Sequence, residues 1–410
     1  MADRSGLSQR SVVEWGVRGL LAVAFAVLGY FAVTGALARV LRSTDPARAH
    51  GLAPGDARIN ATFAQRLVVD PQASAADRQR ADTLARTALR TDPTTVLAAS
   101  ALGIDTQARG DTAAARRLFI YAQRLSRREL VVQLWAIEDA VGRGDITGAI
   151  RQYDIALRTS RTAADVLFPI LAAAIADPAI QKALTRTLAA KPTWADSFIN
   201  YVGTQGPDVE ATASLFSRLH HASVPVSGMA QGAVINALIQ KGQIDRAWSY
   251  YARMRRSADR QRSRDPRFAA VLDAPSPLDW NVVDVAGGST SIQRSAAGSF
   301  FDFAVSPTVG GALLQQVQLL LPGSYRLSGH SMNLDQPRES LPYWTLVCSG
   351  GRELGRVDMP RSAQADGVFA GRFYVPAGCP VQVLTLFARP SSATSGVSGQ
   401  IDRVQLAPLP

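Results

Sequence analysis

The sequence predicts a multidomain α + β protein: an N-terminal transmembrane helix, a solenoid of paired α-helices, and a C-terminal antiparallel β-sandwich. Three observations predict it. Residues 19–38, "GLLAVAFAVLGYFAVTGALA", form a run of twenty without a charge. Between 61 and 267 small residues recur at helical spacing and at a fixed longer offset. Beyond 274 the apolar period drops toward two and turn residues punctuate the chain.

At 410 residues the chain exceeds one ordinary core and should hold two or three units. Its 47% hydrophobic and 19% charged residues exclude an intrinsically disordered chain. The formal net charge is +11, carried almost entirely by Arg, since Lys occurs only at Lys182, Lys191 and Lys241. From Phe268 onward the balance is −1, so the excess lies in the first 267 residues. Much of it falls in "RMRRSADRQRSRDPR", 253–267, with seven Arg against two Asp. Such a run can bind nucleic acid, acidic lipid or anionic polysaccharide, but reads first as a solvated helix end or linker. It lacks aromatics to stack on bases, which argues against a nucleic-acid partner.

A helix of twenty residues is about 30 Å long, the thickness of a bilayer's hydrocarbon core. Residues 19–40 are read as a transmembrane anchor, because the apolar run exceeds the h-region of a signal peptide. Ala36-Leu37-Ala38 leaves a cleaved signal peptide as the alternative. Arg4, Arg10 and Arg18 before the span are matched by Arg39, Arg42 and Arg48 after it, so charge does not orient the helix. A short tail and a single span make 1–18 the cytoplasmic tail by default. The bulk of the chain is then expected in the bacterial periplasm, held at the inner membrane.

The helical region 61–267 repeats itself. "ARGDTAAARRLFIYAQ" and "GRGDITGAIRQYDIAL" place Gly110-Asp111 and Gly144-Asp145 34 residues apart, and the same offset relates Ala115 to Ala149, Phe119 to Tyr153 and Ala122 to Ala156. An upstream partial copy supplies Ala81, Ala88, Pro93 and Leu102-Gly103. "KGQIDRAWSYYARM" supplies Gly242, Ala247 and Tyr251, and "TQGPDVEATASLF" gives a loose copy at Gly206, Ala211 and Leu215. In length and second-helix pattern this stretch resembles the tetratricopeptide repeats. The resemblance implies a stacked α-α solenoid that binds a protein or peptide, and no chemistry of its own. Trp135, Trp194 and Trp248 are expected to pack between helices. His220-His221 cannot chelate together, because adjacent helical residues point about 100° apart.

After "DAPSPLDW" the texture changes, since Pro275 and Pro277 break any helix. About eight strands follow in 274–410, from "SFFDFAVS" to "SGQIDRVQLA", with turns at Pro322-Gly323, Gly350-Gly351 and Pro376-Ala377-Gly378. This reads as a sandwich of the jelly-roll kind. Its Cys348 and Cys379 are the only cysteines and belong to no metal pattern. In an oxidising compartment they are expected to pair; two separate buried thiols are the alternative.

"LDW" at 278–280, "QVQLLLPGSYRLS" at 316–328, Trp344 with Cys348, and "FYVPAGCPVQVLTLFA" at 373–388 give the region its character. In arrangement it is similar to the non-catalytic carbohydrate-binding jelly rolls. With the anchor and the repeats, the chain resembles the membrane-anchored repeat proteins of bacterial exopolysaccharide and cell-envelope loci. That resemblance implies partners among polysaccharide synthesis and export proteins, possible glycan binding, and no cofactor.

A sugar site needs aromatic faces and fixed polar groups. Trp280, Tyr343, Asp279, Asp335 and Arg338 are the candidate ligand-binding residues, with Asn281 beside them. Strand alternation turns Trp344 inward with Leu346 and Cys348, leaving Tyr343 on the opposite face. A polysaccharide-acting hydrolase or lyase on the same fold is the other function class, and a general envelope assembly factor is a further alternative. Asp279, Asp302, Asp335, Glu339, Asp358 and Asp402 could serve it, but no pattern pairs them, His330 has no evident partner and no catalytic motif occurs. No catalytic residue and no metal ligand is therefore assigned, and the chain is expected not to be an enzyme.

Overall fold

The computed structural model describes residues 12–255, 257–295, 298–391, 394 and 396–409. Arg4 and Arg10 lie outside the described residues, as does Arg256 of the basic run. The chain forms two compact units, Met1–Ala164 and Asp165–Pro410.

The first unit opens with α1 (Val12–Leu41), 30 residues long and apolar enough to cross a membrane. A cleaved signal sequence passes the same test of length and composition. Ala38 is its one buried residue among those described, packed with Ala49 of α2 (Pro46–Leu52) and Ile59 of α3 (Ala57–Val69). Then come α4 (Ala75–Thr91), α5 (Val96–Ala108), α6 (Thr112–Leu125), α7 (Leu130–Gly142) and α8 (Ile146–Thr159).

The 34-residue recurrence has a structural cause in the α5–α6 and α7–α8 pairs. Gly110 and Gly144 sit at φ +86° and +69°, a left-handed conformation that costs an L-residue energy and glycine little. Asp111 and Asp145 then cap the second helix, accepting from the N–H of Ala114 (2.9 Å) and Gly148 (2.8 Å). Ala115 and Ala149, Phe119 and Tyr153, and Ala122 and Ala156 are all buried. Phe119 fills the slot over Gly103, where a Cβ would stand 3.0 Å from its ring, and stacks on Trp135 at 4.7 Å.

The second unit begins in the first turn of α9 (Ala163–Ala174) and continues through α10 (Pro178–Ala189), α11 (Ala195–Gln205), α12 (Val209–His221), α13 (Gly228–Gln240) and α14 (Ile244–Met254). Gly242 repeats the left-handed turn at φ +72°. Gly206 does not: its backbone is extended (φ −60°), and Asp208 caps the next helix. The loose copy there has lost the turn geometry. Its glycine answers a different need, since a Cβ would meet the Val202 carbonyl.

Among the described residues the sandwich has ten strands rather than eight: β1 (Asn281–Val282), β2 (Gly288–Ser295), β3 (Gly298–Val305), β4 (Gly311–Gln318), β5 (Gly323–Met332), β6 (Tyr343–Cys348), β7 (Glu353–Asp358), β8 (Val368–Val375), β9 (Gln382–Ala388) and β10 (Val397–Pro408). Sequence patterning misses β1 because it is two residues long. It misses β2 because that strand lies at a sheet edge with no fully buried residue. The sheets run β1-β4-β9-β6-β7 and β2-β3-β10-β5-β8, all pairs antiparallel. Non-sequential neighbours, β9 between β4 and β6 and β10 between β3 and β5, give the crossovers of a jelly roll. The core between the sheets centres on Trp344, Leu384, Leu386, Phe301, Phe303 and Leu327, all at most 1% exposed. Cys348 and Cys379 form a disulfide at its edge.

The basic run is not wholly a solvated linker. Ser263 donates its N–H to the Leu406 carbonyl and its Oγ accepts from the Leu406 N–H, so it is tied to β10. Phe268 enters the sandwich core. Arg264, only 6% exposed, donates through Nε and Nη2 to the Leu278 carbonyl (2.9 and 2.8 Å), through Nη2 to the Val317 carbonyl, and through Nη1 to Gln318 Oε1 (2.8 Å).

Candidate functional site

Two of the proposed ligand residues are internal. Asp279 is 7% exposed: Oδ1 accepts from the Tyr251 hydroxyl (2.7 Å), Oδ2 from Ser276 N–H (2.9 Å) and Oγ (2.7 Å), and Arg255 approaches at 3.7 Å. Trp280 is 5% exposed, donates Nε1–H to the Asp265 carbonyl (2.9 Å), and packs on Phe268 and Trp344. The "LDW" segment is therefore a joint between α14 and the sandwich, and the expectation that Asp279 and Trp280 meet a ligand is corrected. Its proline-broken turn folds these side chains inward.

Asp335 and Arg338 stand exposed on the loop 333–340, Asp335 lying 3.9 Å from Arg361 and Arg338 opening a short 3-10 turn. That loop leads into β6, where Trp344 is fully buried and Tyr343 faces outward, as alternation predicts.

The Tyr343 ring is already engaged. It stacks on Phe387 with centroids 5.5 Å apart and planes 12° from parallel, and the guanidinium carbons of Arg356 and Arg389 lie over it at 4.2 and 4.4 Å. The quadrupole of an aromatic ring favours a cation over its face. Arg389 also binds Asp358 (2.6 Å) and the Leu341 carbonyl (3.0 Å), while Arg356 pairs with Glu353, whose hydrogen bond raises the guanidinium pKa. Tyr343 thus organises two cations at a rim and is not a bare stacking platform.

Paired residues in an antiparallel sheet share a face, so the register defines what lies beside Tyr343. Asn281 pairs with Gln315, Gln315 with Thr385, Thr385 with Thr345, and Thr345 with Arg356. One hydrogen-bonding side chain from each of five strands makes a row across the outer face, about 19 Å long at the usual strand spacing of ~4.8 Å. The neighbouring row holds Ala312, Phe387, Tyr343 and Asp358; the row on the other side holds Val317, Val383, Val347 and Glu353. Thr345 and Thr385 are buried beneath these taller neighbours, whereas Gln315 and Arg356 are exposed. Thr345 Oγ1 has no hydrogen-bond partner among the described residues.

Among the residues chosen from sequence, the face collects Tyr343 and Asn281, with Asp358 at its edge. Gln315, Thr345, Thr385, Arg356, Phe387 and Arg389 were not singled out. Alternation within each strand places all but Arg389, which follows β9, outward, but the long-range register that aligns them leaves no mark in a single sequence.

The other carboxylates are dispersed. Asp302 accepts from Gln400 (2.9 Å), and Asp402 from His330 (2.8 Å), giving that histidine a partner on the outer face of the second sheet. Among the helices, a groove between α12 and α14 carries Arg218, Arg246, Arg253 and His221, with cavities of about 440 and 510 Å³ along it. The His220 and His221 rings diverge by 64°.

No protein-family model and no curated protein sequence matches the chain. Among solved structures it is similar to one described as CBM4, at 14% identity over 37% of this chain and 100% of that one, with a TM-score of 0.27. It is similar to the CBM22-1 xylan-binding domain of Xyn10C from Paenibacillus barcinonensis, at 9% identity over 35% of this chain and 91% of that one, TM-score 0.25. A third similarity is to the enzymatically active domain of bacteriophage CBA120 tailspike protein 4, at 14% identity and TM-score 0.22, covering 32% of this chain but only 19% of that one.

Proposed function

We propose that this chain is a non-catalytic, membrane-anchored scaffold whose sandwich binds glycan along the outer face of β1-β4-β9-β6-β7. The observation that carries the reading is the row across the five strands, in which Asn281, Gln315 and Arg356 reach the surface on either side of the buried Thr385 and Thr345, beside the Tyr343–Phe387 pair. Hydroxyl-rich ligands are held by fixed donors and acceptors next to apolar surface, and an extended row suits a chain better than a compact molecule.

In this reading α1 anchors the chain in the bacterial inner membrane with the bulk in the periplasm. The tetratricopeptide-like helices hold a protein of a polysaccharide synthesis or export machine. The recurrence of the Gly-Asp turn and its buried Ala, aromatic and Ala positions supports the repeat. The basic groove between α12 and α14 offers a surface for such a partner.

The test is binding of the full-length, detergent-solubilised protein to polysaccharide from the cell that makes it. Gln315→Ala with Arg356→Ala should weaken retention at least tenfold while leaving the unfolding transition in place. Cleavage of the glycan by the purified protein, or retention that ignores both substitutions, would overturn the reading.

A further inference from the structure

The first unit carries a second site, at the end of α1. If α1 crosses a membrane, as proposed above, residues 19–38 fill the hydrocarbon core at 1.5 Å per residue. Arg39 then marks the boundary, and Arg42 lies one residue-triplet further, about 4.5 Å, at headgroup depth. The end of α1 is fixed against the rest of the unit through Ala38, Ala49 and Ile59.

Opening at this level is a cavity of about 560 Å³ lined by Arg42 after α1, Arg58 on α3, and Arg128 in the α6–α7 loop, with Asp92 and Glu129 as its acids. The acids are occupied. Asp92 Oδ1 accepts from the N–H (2.9 Å) and hydroxyl (2.6 Å) of Thr94, which, with a smaller contribution from the charge of Arg58, hold its pKa below the usual carboxylate value, and Glu129 Oε1 accepts from Gln65 Nε2 (2.9 Å).

The guanidinium groups of Arg42, Arg58 and Arg128 make no ion pair or hydrogen bond among the described residues. Arg66, Arg90 and Arg117 also lack an ion pair among the described residues, so what sets Arg42, Arg58 and Arg128 apart is that all three line one cavity. Three cations against two engaged anions leave room for one more negative charge, at the depth where phosphates lie.

We propose that this cavity holds the phosphodiester headgroup of an anionic phospholipid from the leaflet into which α1 emerges. Arginine forks match phosphate oxygens, and the low-dielectric edge of a bilayer strengthens the pairing. The assignment rests on α1 being a membrane span, but it holds for either orientation of the helix.

The experiment uses the full-length protein. Flotation with neutral phosphatidylcholine vesicles tests the span by itself. Native mass spectrometry after reconstitution in mixed phosphatidylcholine and phosphatidylglycerol then reads the headgroup, with phosphatidylglycerol expected to be retained at least fivefold over its share of the bilayer. Arg42→Gln with Arg58→Gln and Arg128→Gln should bring the ratio to parity, whereas Arg66→Gln with Arg90→Gln and Arg117→Gln should not. Failure to float sinks the span and this site together. Flotation without lipid preference sinks the site alone, as does displacement by inorganic phosphate with no discrimination between the lipids. Because the wild-type ratio is itself a test, a triple variant that failed to fold would not shield the proposal.

Discussion

Tyr251 of α14 donates its hydroxyl hydrogen to Asp279 across 2.7 Å, joining the last helix to the first turn of the sandwich. Both residues are buried, and Asp279 is further held by Ser276 and Arg255. A buried carboxylate that loses a donor keeps its desolvation penalty. Tyr251→Phe should therefore destabilise the second unit by about 1–3 kcal/mol, read as a lower midpoint in urea unfolding of the full chain.

The same joint sets an alkaline limit. Burial raises the phenol pKa of Tyr250 and of Tyr251 well above 10, with Asp279 adding to the second, so the folded state keeps protons that the unfolded state loses from pH 10 upward. Stability from these two groups is complete below pH 10 and falls above it, at about 1.4 kcal/mol per pH unit for each. Arg264 acts oppositely: burial lowers it to about 10, so its term rises above pH 10. Two falling terms against one rising term give net loss. Unfolding midpoints measured from pH 9 to 12 should decline, and less steeply in Tyr251→Phe.

Cys348 and Cys379 close a loop of 31 residues across the sandwich edge. The chain-entropy estimate for that length is about 3–4 kcal/mol. The double substitution Cys348→Ala and Cys379→Ala should lower stability by that order without changing the secondary-structure content seen by circular dichroism.

Gly110 and Gly144 hold equivalent left-handed turns with open space around each missing Cβ. Alanine at either position should cost about 1–2 kcal/mol from backbone strain alone. Gly206→Ala should also destabilise, through a clash with the Val202 carbonyl and not through strain, because its φ is already ordinary. Thermal unfolding of the three variants checks the size of each effect; a neutral Gly110→Ala would refute the turn assignment.

What could be read beforehand divides along the range of the forces involved. The long apolar helix α1, the Gly-Asp turns, the inward Trp344 and the outward Tyr343 all follow from local pattern, which a single sequence carries. The loose repeat at Gly206 misled because a glycine alone does not specify φ. Asp279 and Trp280 looked like ligand groups because their residue types suit sugars. Their burial depends on Tyr251, Asp265 and Phe268, which meet them only after folding. The polar row on the outer face was illegible for the same reason, since it exists only in the register of five strands.

Arg264 is packed at the end of the sandwich and bonded to the Leu278 and Val317 carbonyls, while Tyr251 grips Asp279 next to it. These clamps replace what a slack hinge would otherwise absorb. A load applied to the β1-β4-β9-β6-β7 face would therefore pass directly into α14 instead of being absorbed at the joint.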